Sequence, residues 1–149
     1  RYVNEMKSPL RGTAAYVYGA LRVLARYNSC RVRVTADFGT VEKSVFLAST
    51  ANTASYGGAI EIVPGATPTD GLLDLCVIDG VSRLRSFFIL AAVLAGRHQA
   101  HPNVHFFQTA RLEIDADDPL EIWADGELMG RTPVTIEAAP AAVRVLLPP

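Results

Sequence analysis

Apolar residues recur along the chain with two periods, one typical of helices and one typical of strands. From Ser8 to Ala25 they fall three or four positions apart, which predicts an amphipathic helix with Ser8 as N-cap and Pro9 at its first position. A second helical segment is predicted from Arg83 to Gly96, with Ser82 as its N-cap and the glycine as its end. The pattern therefore predicts two helices.

The remaining segments follow a strand pattern. Apolar and polar residues alternate from Arg31 to Phe38, and Gly39 then marks a turn into a strand at 41–49, so we expect a hairpin. The segment 55–68 is rich in glycine and proline and predicts short extended pieces with tight turns. Further strands are predicted at 72–78, 106–116, 120–124, 127–129, 134–137 and 143–147. Many short strands with two helices indicate a mainly β fold of the α+β class, arranged as a sandwich or barrel.

Length and composition restrict the domain count. With 149 residues, 50% of them hydrophobic, the chain can bury its own core as a single domain covering residues 1–149. The longest apolar run has nine residues, from Phe87 to Ala95, whereas about 18 are needed to cross a bilayer. Cys30 and Cys76 show neither CxxC spacing nor a preceding secretory signal, which favours free thiols and a cytoplasmic location.

Charge is distributed unevenly, although the net charge is only −1. That balance is poor for a nucleic-acid binder, so no nucleic-acid partner is expected. Residues 1–33 nevertheless carry seven basic groups and one acidic group, Glu5. This basic segment could face an anionic membrane or phosphates, and a solvated helix face is the alternative.

Two turns carry carboxylates in positions suited to chemistry. Asp125-Gly126 is typical of a type I′ hairpin turn, which would hold Glu127 rigidly at a sheet edge, as a general base requires. Asp70, with the carbonyl oxygens of Thr67 and Leu72, offers the kind of oxygen ligands that Mg²⁺ takes. A plain turn is the alternative interpretation for each.

Other polar segments carry weaker signals. The loop at 52–58, Asn-Thr-Ala-Ser-Tyr-Gly-Gly, could approach a nucleotide, but it lacks phosphate-loop spacing and an ordinary turn is the alternative. His98, His101 and His105 follow the second helix without a cysteine or carboxylate to complete a zinc site, so we expect them on a surface loop. No nucleophile elbow GxSxG occurs, which argues against hydrolase chemistry.

Three segments, taken together and in order, resemble a known family. They are Asn52 to Gly58, Pro64 to Asp74 (Pro-Gly-Ala-Thr-Pro-Thr-Asp-Gly-Leu-Leu-Asp) and Asp125 to Glu127. In this order and spacing they resemble the C-terminal domain of the bacterial diacylglycerol kinase and lipid kinase family, which is related to sphingosine kinases. The likeness covers nearly the whole chain from about Arg11. It implies a β-sandwich domain whose N-terminal nucleotide-binding α/β domain, with its Gly-Gly-Asp-Gly-Thr motif, is absent from this chain.

The resemblance also implies an activity. The parent protein would transfer the ATP γ-phosphoryl group to the hydroxyl of diacylglycerol, giving phosphatidic acid. Glu127 matches the family's catalytic base, and Asp70 with the carbonyls of Thr67 and Leu72 matches a structural Mg²⁺ site. Asn52 is a candidate nucleotide contact, although Ala59 stands where the family commonly has a third glycine. The alternatives are a kinase for a sphingoid base or glycolipid and a non-catalytic sandwich that binds lipid or a partner.

Partners and location follow from the same resemblance. The implied partners are a lipid at the membrane surface and the chain's own nucleotide-binding domain, which would bind most of the ATP; a homodimer is left open. The protein is expected in the cytoplasm, peripherally attached to the membrane. The isolated chain should be inactive, since phosphoryl transfer depends on positioning by a phosphate-binding loop that it lacks.

Overall fold

The computed structural model describes residues 18, 19, 22, 26, 29–56, 60–80 and 82–144. The helices whose bounds lie inside these residues are the α-helix α1 (Arg83–Leu94) and a short 3-10 helix (His98–Ala100). The strands are β1 (Cys30–Ala36), β2 (Gly39–Ala51), β3 (Ser55–Tyr56), β4 (Ile60–Glu61), β5 (Leu73–Asp79), β6 (Val104–Thr109), β7 (Arg111–Ala116), β8 (Glu121–Ala124), β9 (Glu127–Arg131) and β10 (Val134–Glu137). The mainly β class is confirmed for this part of the chain. Most of the helix predicted from Ser8 lies outside the described residues, and the described positions within it, Tyr18, Gly19 and Arg22, are helical.

Six of these strands form the main sheet, in the order β10-β7-β1-β2-β5-β6, with every neighbouring pair antiparallel. The long strand β2 pairs with two strands along different parts of its length. Residues 39–45 pair with β1, and residues 45–51 pair with β5. An irregularity between Val45 and Leu47 marks the change of partner. Two further sheets of two strands each, β3–β4 and β8–β9, complete the described strands.

The predicted hairpin of β1 and β2 is confirmed. Val32 and Val34 are buried while the intervening Arg33 is exposed, as the alternating sequence requires of a strand with one face in the core. The turn occupies Asp37 and Phe38, just before Gly39. Gly39 has φ +106°, a conformation that residues with a side chain rarely adopt.

The core lies on both faces of β5, which is buried from Asp74 to Asp79. Leu75 and Val77 join the cluster on one face, whose other buried members are Val32, Val34, Val45, Leu112 and Ile114. Cys76 and Ile78 join the cluster on the opposite face, whose other buried members are Val63, Ile89, Val93 and Val104. Both cysteines are free thiols, as predicted, and burial raises the pKa of Cys76 to about 11.

Helix α1 covers the second of these clusters and confirms the helix predicted there. Ser82 caps it by accepting a hydrogen bond from the Arg85 backbone N–H at 3.4 Å, and Gly96, at φ +65°, follows its end. Ile89 and Val93 face the core. None of the helices in the described part of the chain is long and apolar enough to cross a membrane.

Two strand predictions need correction. The segment 106–116 is not one strand, because β6 ends at Thr109 and β7 begins at Arg111. The Thr109 hydroxyl donates to the Arg111 carbonyl at 2.8 Å and accepts from its N–H at 3.2 Å, which stabilises the break. The strand predicted at 143–147 is wrong for residues 143 and 144, which lie outside any strand, and residues 145–149 are outside the described part of the chain.

Candidate functional site

The predicted site residues lie on two separate parts of the fold. Glu127 is the first residue of β9, on the small β8–β9 sheet. Asp70 and Leu72 lie in the turn before β5, and Asn52 follows the last residue of β2.

The β8–β9 hairpin presents Glu127 on a tight, well-supported turn. Asp125 and Gly126 both have positive φ, 50° and 87°, as the two central residues of a type I′ turn require. At the base of the hairpin, the Leu120 N–H donates to the Thr132 hydroxyl and the Thr132 N–H donates to the Leu120 carbonyl, each at 2.9 Å. Glu127 is exposed. Its carboxylate is therefore displayed to solvent or a ligand from a fixed backbone position.

The other side chains of the hairpin include polar ones that bind one another and apolar ones that are exposed. Glu121 accepts a hydrogen bond from the Trp123 indole N–H at 3.2 Å and pairs with Arg131 at 3.6 Å. Leu128 and Met129, which directly follow Glu127, are exposed. The hairpin thus carries exposed apolar side chains next to Glu127 along the strand, and they could receive the apolar part of a substrate or another domain.

The Asp70 turn is held by the carboxylate itself. Asp70 Oδ1 accepts a hydrogen bond from the Leu72 N–H at 2.9 Å, and Gly71 between them has φ +75°. Asp70 Oδ2 accepts a hydrogen bond from Gln108 Nε2, on β6, at 3.1 Å. The turn is therefore tied to the main sheet through one amide side chain.

A second carboxylate, Asp74 on β5, lies beside this turn. Asp74 is only 8% exposed, and its Oδ1 accepts from the same Gln108 Nε2 at 3.4 Å. Its Oδ2 is buried without a hydrogen-bond partner among the described residues. Burial raises the pKa of Asp74, the nearby charge of Asp70 raises it further, and the Gln108 hydrogen bond offsets part of this.

Neither Asp74 nor Gln108 is predicted from the sequence to be a functional residue. One signal was present, because Asp74 interrupts the apolar run Leu-Leu-Asp-Leu-Cys-Val-Ile at 72–78. A charged residue inside a buried strand needs a specific partner, which makes such a position a candidate for function. Gln108 had no comparable signal, since its partners lie 34 and 38 residues away along the chain.

Strand register places Asn52 at the same edge of the sheet as Asp74 and Gln108, where this edge is the one formed by the end of β2, the start of β5 and the end of β6. Ala51 pairs with Asp74, which in turn pairs with Gln108, so the three residues form one row across β2, β5 and β6. Asn52 directly follows that row and is exposed. The structure thus brings Asn52 and the Asp70 turn to one edge, whereas no described hydrogen bond or ion pair connects this edge to Glu127.

The donors at this edge fit a hard divalent cation. Asp70 contributes an exposed carboxylate, the carbonyls of Thr67 and Leu72 belong to the same turn, and Asp74 Oδ2 is an oxygen with no hydrogen-bond partner in the part of the chain that the structure describes. Mg²⁺ takes such a set of carboxylate, carbonyl and water oxygens. The described residues contain no group of three or more His, Cys, Asp or Glu that could hold a metal by side chains alone. Backbone carbonyls or water would therefore have to complete the coordination.

The three histidines do not share a surface loop, and that prediction is wrong for His98, which is buried, and for His105, which lies on β6. His98 is fully buried, with Nε2 2.9 Å from the Ile62 carbonyl oxygen and its ring beside Phe106. His101 Nδ1 accepts a hydrogen bond from the Asn103 N–H at 3.2 Å. His105 instead contacts Asp79 at 3.0 Å. Each histidine thus has its own set of partners.

Asp79 is the centre of a polar cluster that joins three strands. It forms an ion pair with Lys43 on β2, its Oδ2 lies 3.0 Å from His105 Nε2 on β6, and it accepts a hydrogen bond from Asn103 at 3.2 Å. Burial by itself would raise the pKa of Asp79. The hydrogen bonds from Lys43 and Asn103, with the electrostatic attraction of His105 and Lys43, outweigh burial and hold the pKa of Asp79 below its usual range.

Comparison with known proteins identifies the family. The model of the YegS C-terminal NAD kinase beta sandwich-like domain matches residues 1–147. The chain belongs to this family. The resemblance to the bacterial diacylglycerol kinase and lipid kinase family is thereby confirmed, and with it the expectation of a sandwich-like domain.

Curated relatives of this YegS_C domain carry lipid kinase names. A diacylglycerol kinase of Mycobacterium tuberculosis (strain ATCC 25618 / H37Rv) is 31% identical over 147 residues, which cover 97% of this chain and 47% of the relative. A Shewanella frigidimarina protein named "Probable lipid kinase YegS-like" is 30% identical over 146 residues, 98% of this chain and 47% of the relative. The chain thus spans about half the length of the curated relatives it matches.

Solved structures share the fold. A crystal structure of a diacylglycerol kinase from Bacillus anthracis str. Sterne matches 89% of this chain and 48% of its own, with a TM-score of 0.63 and 20% identity. A second structure from the same organism matches 94% of this chain and 49% of its own, with a TM-score of 0.71 and 18% identity. At these identities the likeness shows the fold of the YegS_C domain alone.

Proposed function

We propose that this YegS_C domain is the C-terminal domain of an ATP-dependent kinase that phosphorylates the hydroxyl of diacylglycerol, giving phosphatidic acid. Support comes from the lipid kinase names of relatives that match nearly the whole chain. The single observation that carries the proposal is the position of Glu127, an exposed carboxylate directly after a type I′ turn and beside exposed apolar side chains.

Glu127 would act as the general base. As the acceptor oxygen attacks the γ-phosphorus of ATP, its hydroxyl proton passes to the Glu127 carboxylate and ADP leaves. Phosphoryl transfer depends mainly on positioning, which the turn and the paired backbone of Leu120 and Thr132 would provide. Leu128 and Met129 could contact the acyl chains of the acceptor, because both follow the base in β9 and both are apolar and exposed.

The edge with Asn52 and Asp70 would meet the nucleotide. Asp70 and the carbonyls of Thr67 and Leu72 would hold a structural Mg²⁺, whose charge would balance the carboxylates and fix the turn before β5. Asn52, exposed at the same edge, would contact ATP bound mainly by an N-terminal nucleotide-binding domain of the same protein. The isolated chain would then be inactive, since it contributes only part of the nucleotide site.

The kinase would attach peripherally to the cytoplasmic face of the membrane, where its substrate lies. The basic segment 1–33 favours this, because anionic headgroups attract such charge. Helix α1 adds an apolar face, since Leu84 and Phe88, one turn apart, are 68% and 66% exposed. Residues 80–112 contain no Asp or Glu, so this face would approach anionic lipid without repulsion.

The test is phosphoryl transfer from labelled ATP to diacylglycerol in mixed micelles by the natural protein that contains this chain. Glu127→Gln should lower kcat by about 10²- to 10⁴-fold, as expected for loss of a general base. Asp125→Asn is the matched control, since it removes a charge two residues away while asparagine tolerates the positive φ of that position. Its activity should remain close to that of the wild type.

Three outcomes would count against the proposal. Full activity of the folded Glu127→Gln protein would make Glu127 a plain hairpin residue. A wild type that phosphorylates a sphingoid base or glycolipid but not diacylglycerol would reassign the acceptor. A wild type that phosphorylates none of these lipids would favour a non-catalytic domain that binds lipid or a partner.

A further inference from the structure

Asp74 is a buried acid that the proposed mechanism does not use. It lies on β5 between Leu73 and Leu75, it is 8% exposed, and its Oδ2 has no hydrogen-bond partner among the described residues. Leaving a buried charged oxygen unpaired costs free energy, and native proteins rarely do so unless an ion, a water molecule or a ligand binds there. Asp74 Oδ2 is therefore a candidate ligand for a cation.

Gln108 links Asp74 to the Asp70 turn. Its Nε2 donates to Asp70 Oδ2 at 3.1 Å and to Asp74 Oδ1 at 3.4 Å. An amide nitrogen carries two N–H groups, so one side chain can serve one oxygen of each carboxylate. The register of β5 and β6 places Asp74 directly opposite Gln108. Strand pairing and the Gln108 side chain together therefore hold the carboxylates of Asp70 and Asp74 close to each other. A cation bound between them would offset their repulsion.

We infer that Asp70 and Asp74 form one divalent-cation site, in which Asp74 Oδ2 binds the cation directly or through one water molecule. The inference rests on the proposed Mg²⁺ site at Asp70 and adds a second carboxylate to it. Two carboxylates match the charge of a divalent cation, whereas Asp70 alone would leave an excess positive charge. The second acid should therefore raise the affinity for Mg²⁺ and Mn²⁺ over that for monovalent cations.

The binding test uses the natural full-length protein without nucleotide and Mn²⁺ as the probe. Bound Mn²⁺ is measured from the loss of the free-ion electron paramagnetic resonance signal in the wild type, Asp70→Asn, Asp74→Asn and Asp118→Asn. Loss of Asp74 should weaken binding by about 10- to 100-fold, the usual effect of a residue that supports a metal site. Asp118 is exposed in the turn after β7, so its variant should bind as the wild type does.

Thermal melting separates a cation site from a purely structural role. In the absence of divalent ions, Asp74→Asn should melt no lower than the wild type, because it removes a buried charge whose Oδ2 has no hydrogen-bond partner among the described residues. MgCl₂ should raise the melting temperature of the wild type, while KCl of equal ionic strength and the Asp74→Asn protein should show no such rise. If the only role of Asp74 is to accept the hydrogen bond from Gln108, Asp74→Asn should instead melt at a lower temperature than the wild type, by the same amount with and without Mg²⁺.

The results distinguish a cation site formed by Asp70 and Asp74 from a site formed by Asp70 alone and from the absence of a site. If Asp74→Asn binds Mn²⁺ like the wild type while Asp70→Asn does not, the inference is overturned and the Asp70 site stands. If both variants bind like the wild type, or the wild type binds none, the cation site at this edge is overturned altogether. The kinase proposal is tested separately by Glu127→Gln, so its failure would be recognised independently.

Discussion

Leu120 and Thr132 close the base of the β8–β9 hairpin through two hydrogen bonds of 2.9 Å, one from the Leu120 N–H to the Thr132 hydroxyl and one between their backbones. Thr132 is buried, so the hydroxyl bond is protected from water. The pair is the point at which the hairpin carrying Glu127 joins the main sheet. Its geometry should therefore affect both the stability of the domain and the position of the proposed base.

Thr132→Val should lower stability and activity together. Valine keeps the shape but leaves the Leu120 N–H without its acceptor, which should cost about 1–3 kcal/mol in the free energy of unfolding. Because the hairpin positions Glu127, kcat should fall more than KM rises. Urea unfolding and steady-state kinetics measure both effects. Thr135→Val, at an exposed position on β10, is the control and should change neither; equal effects of the two variants would contradict the role of the Leu120–Thr132 pair.

Gly126 should be required for its backbone conformation. Its φ is +87°, and no atom lies within 4 Å of the place where a side chain would begin. Gly126→Ala therefore creates no clash but forces alanine into the left-handed region, at a cost of about 1–2 kcal/mol. Gly65→Ala is a matched control, since that position is equally open and lacks a positive φ.

If the turn positions the general base, Gly126→Ala should also reduce kcat, whereas Gly65→Ala should not. Circular dichroism melting and the micelle kinase assay distinguish the two effects. A Gly126→Ala protein with unchanged stability would mean that the turn adopts another type in solution.

Sequence patterns predicted those elements whose signals are local. Alternation gave β1 and β2, Ser82 and Gly96 bounded the helix α1, and the Asp-Gly dipeptide gave the type I′ turn. Each depends on residues a few positions apart, which interact whatever the rest of the fold does.

Features set by distant contacts were missed. The strand pattern of the sequence continues on both sides of Ala110, so it does not show that one strand ends and another begins there. The break is visible only in the structure, where β6 pairs with β5 and β7 pairs with β1. His98 was expected at the surface because it follows a helix, yet it is buried against Ile62, 36 residues earlier. The contacts of Asp74 likewise depend on strand register, which one sequence does not display.

The Asp79 cluster should make stability depend on pH in the acid range. The pKa of Asp79 is lowered in the folded protein, against about 3.9 in an unfolded chain. Its contribution to stability is therefore fully present above about pH 4 and is lost as the pH falls through the lower, folded value. The free energy of unfolding in urea, measured from pH 7 down to pH 3, should decline accordingly.

Asp79→Asn tests this assignment. At pH 7 the variant should be less stable than the wild type, because Lys43 and His105 lose their anionic partner. The difference should shrink below about pH 4, where wild-type Asp79 takes up a proton as well. Asp118→Asn is the control for removal of one exposed negative charge. A stability difference between Asp79→Asn and the wild type that does not vary with pH would show that Asp79 acts by packing rather than by charge.

The exposed face of α1 should bind membranes by partial insertion of its apolar side chains. Phe88 is 66% exposed, so Phe88→Ser should leave the fold intact. Losing the burial of a phenylalanine in lipid costs about 1.5–3 kcal/mol, which corresponds to a reduction of about tenfold or more in vesicle partitioning. Val143→Ser is the matched control, an exposed apolar residue outside the helix.

Co-sedimentation of the natural protein with phosphatidylglycerol–phosphatidylcholine vesicles measures this partitioning. Binding should weaken with added salt, since the basic segment 1–33 contributes an electrostatic part that salt screens. Activity of Phe88→Ser on vesicle-bound diacylglycerol should fall, while activity on a monomeric short-chain diacylglycerol should not, because that substrate needs no surface. Equal vesicle binding by Phe88→Ser and the wild type would exclude α1 as the membrane contact and leave the basic segment as the remaining candidate.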